Sequence, residues 1–579
     1  MVAGQGGKDC RVSPGPDGQG DVCAPYSDRP EPEPNPSREG AGAGGGQILP
    51  SRTTRKVAMG ALWTGVTGLI SYSDAISVVA NNMANVNTTG FRSSRTLFSD
   101  LISSEAGGTS DGSQVGNGST VGSISLLTGT GGYSTSSSTL DMAIDGEHGY
   151  FEVRNPDTDK VYYTRAGSFN FDTSGYLTNA QGLHVQGWAV DQAALNAAEL
   201  AGTDLSTVPT TGDVTDIQIT DFTLAAKATS SITLATNLDS TTSTGTNDST
   251  DPYFSMFKSY DATSDTLASN ADYSTSITVY DSEGATHDLT VYYNKITNED
   301  GKEYWEYMVT MDPSEDGNST TSGTTKAGVL MIGTLTFSSS GVLENQTAYT
   351  LASNATDPTS LSSWTQATLN SADGVPEFSA TFQSASNGSA LSSQTVEFST
   401  GLSASNAQWS STCPTTAAGI GTTAANNAGY ATSSTVNAST STTNYATTSY
   451  TLNSSANGYT SGTFKSAYVD DDGVIYGTFS NGQTRALWVL ALADFNNPSG
   501  LTSEGNSLYS ANSDSGAAKE GRANTGTLDG IAGSTLESSN VDLATEMVNL
   551  IIYQRAFESN SKVVTTADAM MEKALEIKK

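Results

Sequence analysis

Three histidines, His148, His184 and His287, are the only imidazoles in the 579-residue chain. They fall in separate expected strands or turns, without metal-ligand spacing, so each reads as hydrogen-bonded or solvent-exposed. Asp470-Asp-Asp-Gly473 approaches a calcium-loop pattern, but Tyr468 stands where the first aspartate belongs, and a β-turn is expected instead. Glycine-rich stretches around Gly107 and Gly129 lack the strand–glycine–helix context of a phosphate loop. No Gly-x-Ser-x-Gly elbow or paired-carboxylate motif stands out. Cys10, Cys23 and Cys413 make no disulfide framework. The expectation is a chain with no catalytic, cofactor-binding or metal-ligating residues, and not an enzyme.

The informative elements lie instead at the two ends. Leu62, Val66, Leu69, Ser73, Ile76, Ala80 and Met83 alternate steps of 4 and 3, which places them on one helical seam. Ile70, Val78 and Val79 widen the apolar face, and Asn-Thr-Thr-Gly should stop the helix between Asn85 and Gly90. Leu543, Met547, Leu550, Gln554, Phe557, Ser561, Val564, Asp568, Met571 and Leu575 repeat the alternation. Ser539 or Asn540 is the expected N-cap, Asp542 suits the first turn, and Lys573, Lys578 and Lys579 suit the negative end of the helix. Neither segment can bury its stripe alone, and isolated helices of this kind are marginal in water. Two such ends predict a subunit that polymerises through its termini.

Composition supports an exposed, strand-rich middle. Only 15% of residues are charged, and Ser, Thr, Gly, Ala and Asn dominate, as on extracellular bacterial surfaces and filaments. Of 60 acids and 26 bases, 44 and 12 lie between 101 and 535, so the net charge of −34 belongs to the middle while the ends are nearly neutral. That balance argues against nucleic acid and anionic membrane as partners and reads as a solubility device. No apolar run reaches the roughly 18 residues of a transmembrane helix. Residues 1–58 lack the apolar core of a secretory signal. An extracellular location would therefore require export by a route without a cleaved signal.

Residues 1–58 read as a disordered leader outside the mature chain, with Met59 as the natural initiator. Residues 59–139 form the N-terminal helix and an extended connector with a short apolar run at Val121 to Leu127. Short strands then define a first β-domain over 140–222 plus 465–535, which the chain leaves through a Gly/Ser/Ala-rich return. A second β-domain spans 223–345; its hairpin Ser276 to Tyr293 turns at Asp281 to Gly284, with Val279, Leu289 and Val291 in the core. Residues 346–464, low-complexity with scattered Trp364, Phe378, Phe382 and Phe398, read as an additional exposed β-domain. Residues 536–579 are the C-terminal helix. The fold class is α+β: long terminal helices with nested, discontinuous, mainly-β domains between them.

Ala80-Asn-Asn-Met-Ala-Asn-Val-Asn-Thr-Thr-Gly-Phe-Arg92 resembles the signature of bacterial flagellar rod and hook proteins. Ser539-Asn-Val-Asp-Leu through Met571 is similar to that family's C-terminal motif along nearly its whole length. Leu140-Asp-Met-Ala-Ile-Asp-Gly and Tyr163-Thr-Arg-Ala-Gly-Ser-Phe are similar to its shared first β-domain. Leu224 to Ser240, the hairpin at 276–293 and Asp472 to Gly482 resemble hook members in particular. The resemblance covers 59–345 and 456–579.

The resemblance implies a structural subunit of the hook, exported through the flagellar type III apparatus and added beneath a hook cap. Its terminal helices would form a coiled coil lining a curved hollow tube, through Leu62, Val66, Leu69, Ile76, Met83, Leu543, Met547, Leu550, Phe557, Val564, Met571 and Leu575. Asn81, Asn82, Asn85, Asn87, Gly90 and Phe91 would form the turn out of that layer. Implied partners are many copies of the same chain, a distal rod protein, the cap and the first hook-associated junction protein, with no nucleic acid and no membrane insertion. Polar outer domains would let subunits slide as the hook bends, a universal joint passing torque from rod to filament. The alternatives are a hook–filament junction protein, whose motif opens differently from Ser539-Asn-Val-Asp-Leu, a distal rod protein, which is much shorter, and an extracellular adhesin, which needs no terminal helices.

Overall fold

A computed structural model describes residues 52–576, apart from 103, 106–113, 201–204, 245–247, 249, 265–269, 300, 405–407 and 432–434. Residues 1–51 of the expected leader, the stretch at Gly107, and Lys578 and Lys579 lie outside the described residues. The described chain is mostly β, with four α-helices: α1 (Arg52–Ala84), α2 (Gln192–Leu200), α3 (Ser255–Ser259) and α4 (Leu543–Glu576). Helix α1 begins upstream of the expected boundary at Met59, because Arg-Thr-Thr-Arg-Lys-Val-Ala contains no glycine or proline to interrupt it. It stops at Ala84, and Gly90 follows with φ +66°.

Helix α4 is capped by Asp542 rather than by Ser539 or Asn540. Asp542 Oδ1 accepts from Ala544 N at 3.0 Å and Oδ2 from Thr545 Oγ1 at 2.7 Å. Asn540 is engaged elsewhere: its Oδ1 accepts from Ser93 N, and its Nδ2 donates to the carbonyls of Leu127 and Gly129.

Between the helices lies a 14-stranded sheet built from both sides of the chain. Strand His184–Val190 pairs with Tyr150–Arg154, Thr210–Asp216 and Thr484–Leu490, and the latter continues through Val474–Phe479 to Gly462–Val469. Its core includes Phe151, Val153, Val185, Ile475, Leu490 and Leu492. Asp470 organises the turn into Val474–Phe479, accepting from Asp472 N and Val474 N, with Gly473 at φ +76°.

Apart from five two-stranded pairings among the described residues, the remaining strands form two sheets that share one core. One is a six-stranded antiparallel meander from Tyr273–Tyr280 to Trp364–Gln366. In its first hairpin Val279, Leu289 and Val291 are all buried. The other has five strands, in the order Thr368–Leu369, Pro376–Ala380, Gln394–Ser399, Ser231–Asn237 and Tyr450–Ala456.

Here the expected division at 345/346 fails. Phe378, Phe382 and Phe398 share one core with Trp305, Tyr307 and Phe337, so residues 346–456 supply most of the second sheet of the same domain. Trp364 packs on the opposite face of the meander with Phe257, Tyr349 and Ile420. Strands such as Pro-Glu-Phe-Ser-Ala bury alternate positions with only one or two large side chains each, which leaves a low-complexity signature around a full core.

The chain enters and leaves this second domain along one antiparallel ribbon. Thr223 pairs with Thr463, Lys227 with Tyr459, and Ile232 with Ala456. The five-residue α3 is held at both ends by buried titratable side chains. Glu306 accepts from Met256 N and Phe257 N, while Lys326 Nζ donates to the carbonyls of Phe257 and Tyr260, matching the polarity of the helix dipole.

Candidate functional site

The two terminal helices lie against each other, and small residues set how closely. The buried positions of α1 are Gly65, Gly68, Ser71, Ala75, Val79 and Asn82. A Cβ on Gly65 would lie 2.8 Å from Val564 Cγ2, and one on Gly68 2.8 Å from Asn560 Nδ2. Asn82 fastens the far end. Its Nδ2 donates to Ser94 O at 2.8 Å and Glu546 Oε1 at 3.0 Å, while its Oδ1 accepts from Ser94 N at 3.0 Å. Tyr72, Phe98 and Tyr553 cluster in tilted and edge-on contacts at centroid distances of 5.2 to 6.1 Å.

This contact is rotated from the seam expected from large apolar residues. Leu62, Val66, Leu69, Ile76 and Met83 flank the contact, half-buried. On α4, Leu550, Val564 and Met571 are half-buried, whereas Leu543, Met547, Phe557 and Leu575 are 38–57% exposed. Val548, Ile551, Ile552 and Met570 are also exposed, so α4 carries uncovered apolar side chains along its length. Glycine, serine and alanine carry no hydrophobic signal, yet they permit backbone approach, so the helix pair closes on them.

In the expected turn, Asn82 and Gly90 are buried, Asn85 and Phe91 half-buried, and Asn81 and Asn87 exposed. Asn85 Nδ2 donates to Asn81 O at 2.9 Å, and Thr88 Oγ1 donates to Asn85 Oδ1 at 3.1 Å. Gly90 N donates to Glu537 O at 2.8 Å.

Where this turn meets the first β-domain lies a charge knot that sequence reasoning did not single out. The side chains of Arg92, Arg165 and Glu537 are fully buried. Arg92 Nη1 lies 2.7 Å from Glu537 Oε1 and donates to Gly129 O at 2.6 Å. Arg165 Nη1 lies 3.5 Å from Glu537 Oε2, its Nη1 and Nη2 donate to the carbonyls of Gly146 and Glu147, and its guanidinium faces the Tyr150 ring. Burial, and then the neighbouring Arg92, lower the Arg165 pKa. The available signal was scarcity, since charges this rare beside apolar residues are candidates for pairing.

Glu152 shares the Tyr150 face of its strand and is buried, with Oε2 lacking a hydrogen-bond partner. Burial, then Glu520, pushes its carboxyl up to about 7. A folded pKa above the unfolded value means that the folded chain holds the extra proton between the two. Stability is therefore full below the unfolded pKa and is lost as pH rises through about 7. Through Glu152 alone, the unfolding free energy from urea denaturation is expected to fall by on the order of 2 kcal/mol between about pH 5 and about pH 8. Glu152→Gln should remove this residue's share, leaving the slope from Glu306, which burial pushes up to about 8.

The histidines are distributed. His148 is exposed, His184 stacks on Tyr176 and meets Asp216, and His287 sits between Asp281 and Glu315 against Phe382. Among the described residues no group of His, Cys, Asp and Glu is arranged to hold a metal ion. Nor is any described helix long and apolar enough to cross a membrane.

Four family descriptions match the chain in order. They are "Flagella basal body rod protein" at 62–92, "Flagellar hook protein FlgE/F/G D1 domain" at 143–236, "Flagellar basal body protein FlaE D2 domain" at 251–459 and "Flagellar basal body rod FlgEFG protein C-terminal" at 532–577. The flagellar hook protein FlgE of Escherichia coli is 29% identical over 87% of this chain and 97% of its own length. That of Treponema pallidum is 28% identical over 90% of this chain and 100% of its own. A crystal structure of the Helicobacter pylori flagellar hook protein FlgE2 aligns over 70% of this chain and 100% of its own, at 13% identity and a TM-score of 0.37, too loose a likeness to carry the fold.

Proposed function

Starting from the chain's membership of the flagellar rod and hook family as a structural subunit of the hook, we propose that it polymerises through α1 and α4 into a curved hollow tube. The observation that carries this reading is the uncovered apolar surface of α4. Met547, Val548, Ile551 and Ile552 are each at least half exposed on a helix whose opposite side already packs on α1. A contiguous exposed apolar surface of this kind marks a contact site for another protein surface. Neighbouring copies related head to tail, without ring closure, would cover it and generate a helix. The terminal pair then forms the inner coiled-coil layer, and the acidic β-domains face outward. Their polar surfaces let adjacent subunits slide, so the tube bends while transmitting torque from rod to filament. Export proceeds through the flagellar type III apparatus without a cleaved signal, with assembly under a cap between a distal rod protein and the first hook-associated junction protein.

The test is electron cryo-microscopy of the full chain beside Ile551→Asp with Met547→Asp. Wild type should give curved hollow tubes, whereas the variant should remain monomeric with an unchanged circular dichroism spectrum. Tubes of equal length from the variant, or a wild type that stays monomeric under assembly conditions, would overturn the proposal.

A further inference from the structure

Three side chains in the second β-domain meet at one carboxylate oxygen. Lys295 stands opposite Trp305 across strands Thr286–Glu299 and Lys302–Thr310, and Glu303 lies on the same strand face as Trp305. Asn444 arrives from the segment before Tyr450–Ala456, fixed by its own N–H to Gly341 O at 2.9 Å. One carboxylate oxygen joins the other two residues: Glu303 Oε2 accepts from Lys295 Nζ at 3.1 Å and from Asn444 Nδ2 at 2.5 Å. Lys295 Nζ also donates to Ser240 O. Lys295 is 2% and Asn444 3% exposed, and the flanking Trp305 and Phe337 are fully buried.

An ordinary ion pair accounts for Lys295 and Glu303 but leaves Asn444 unexplained. Its Oδ1 is buried without a hydrogen-bond partner. Exchanging the amide nitrogen and oxygen only transfers that deficit to the other atom. A buried amide left half-satisfied costs stability in a purely structural role. In a reactive role it is the electrophile, beside an amine and the carboxylate that can move its proton.

We propose that Lys295, Glu303 and Asn444 form an intramolecular isopeptide bond between the Lys295 amine and the Asn444 side-chain carbonyl, with Glu303 as the proton carrier. Glu303 Oε2 takes a proton from the Lys295 ammonium, and the freed nitrogen lone pair attacks Asn444 Cγ. The tetrahedral carbon collapses with cleavage of the Cγ–Nδ2 bond. The departing nitrogen takes up the proton from Glu303 and then, relayed through the same carboxylate, the second proton of the attacking nitrogen, so it leaves as ammonium and Glu303 is again a carboxylate. One amide nitrogen replaces another, so no oxidant, metal or cofactor enters the balance. The step requires the folded domain, because residues 295 and 444 meet only when the meander and the last strand segment have assembled. This proposal does not depend on the polymerisation mechanism.

The test is intact-mass spectrometry of the purified full chain, followed by protease digestion and fragment sequencing. Wild type should be lighter than its sequence by one ammonia and should yield a branched peptide joining Lys295 to Asn444. Glu303→Gln, which keeps both reactants, and Lys295→Met should each retain the ammonia, with folding checked by circular dichroism. A wild type of full sequence mass would overturn the proposal. So would ammonia loss without the branched peptide, which marks cyclisation of asparagine on its own backbone.

Discussion

Glu537→Gln is expected to lower the unfolding free energy by about 3–5 kcal/mol, the usual cost of removing one partner from a buried ion pair. Glu537 is the sole carboxylate paired with Arg92 and Arg165 in that knot, and all three side chains are fully buried. Without its charge, two guanidinium groups face each other away from water. Arg92 Nε and Nη2 and Arg165 Nε already lack hydrogen-bond partners, so no reserve of protein contacts absorbs the change. Urea denaturation of the monomer measures the loss. Adding Arg165→Met should recover part of it, because one buried cation then disappears as well. A neutral Glu537→Gln would mean that solvent reaches the knot.

Gly90→Ala is expected to cost about 2–5 kcal/mol, from a left-handed backbone and an overpacked contact together. Gly90 has φ +66°, and an added Cβ would lie 2.4 Å from Ala166 N and 2.5 Å from Arg165 C. These are backbone atoms beside the knot, and no rotamer change clears them. The substitution should therefore detach the turn after α1 from the first β-domain. Thermal denaturation should show the lowered stability, and hydrogen exchange should show faster opening at Gly90 N, which donates to Glu537 O. Unchanged exchange there would count against this account.

Legibility in the sequence followed the size of the side chains involved. The terminal helices announced themselves through long motifs and large apolar residues, and the hairpin at Asp281 to Gly284 through strict alternation. The face on which α1 closes was hidden, because Gly65, Gly68 and Ser71 score as neutral or polar while defining the contact. The strands of 346–456 were hidden for a related reason: Phe378 and Phe398 are isolated among Ser and Thr, and the other half of their core comes from strands upstream. Asp542 took the cap because Asn540 was drawn into bonds with Ser93, Leu127 and Gly129. The knot and the Lys295–Glu303–Asn444 cluster join residues far apart in the chain, a proximity that no local pattern encodes.

The ribbon from Thr223 to Ile232 against Ala456 to Thr463 carries the chain out to the second domain and back along adjacent strands. Its two crossing points are already hydrogen-bonded neighbours, so a short hairpin could close the gap if everything beyond them were removed. The outer body is in this sense modular. Whatever body stood beyond the ribbon, the first sheet would keep its own strand pairings on both sides of the gap.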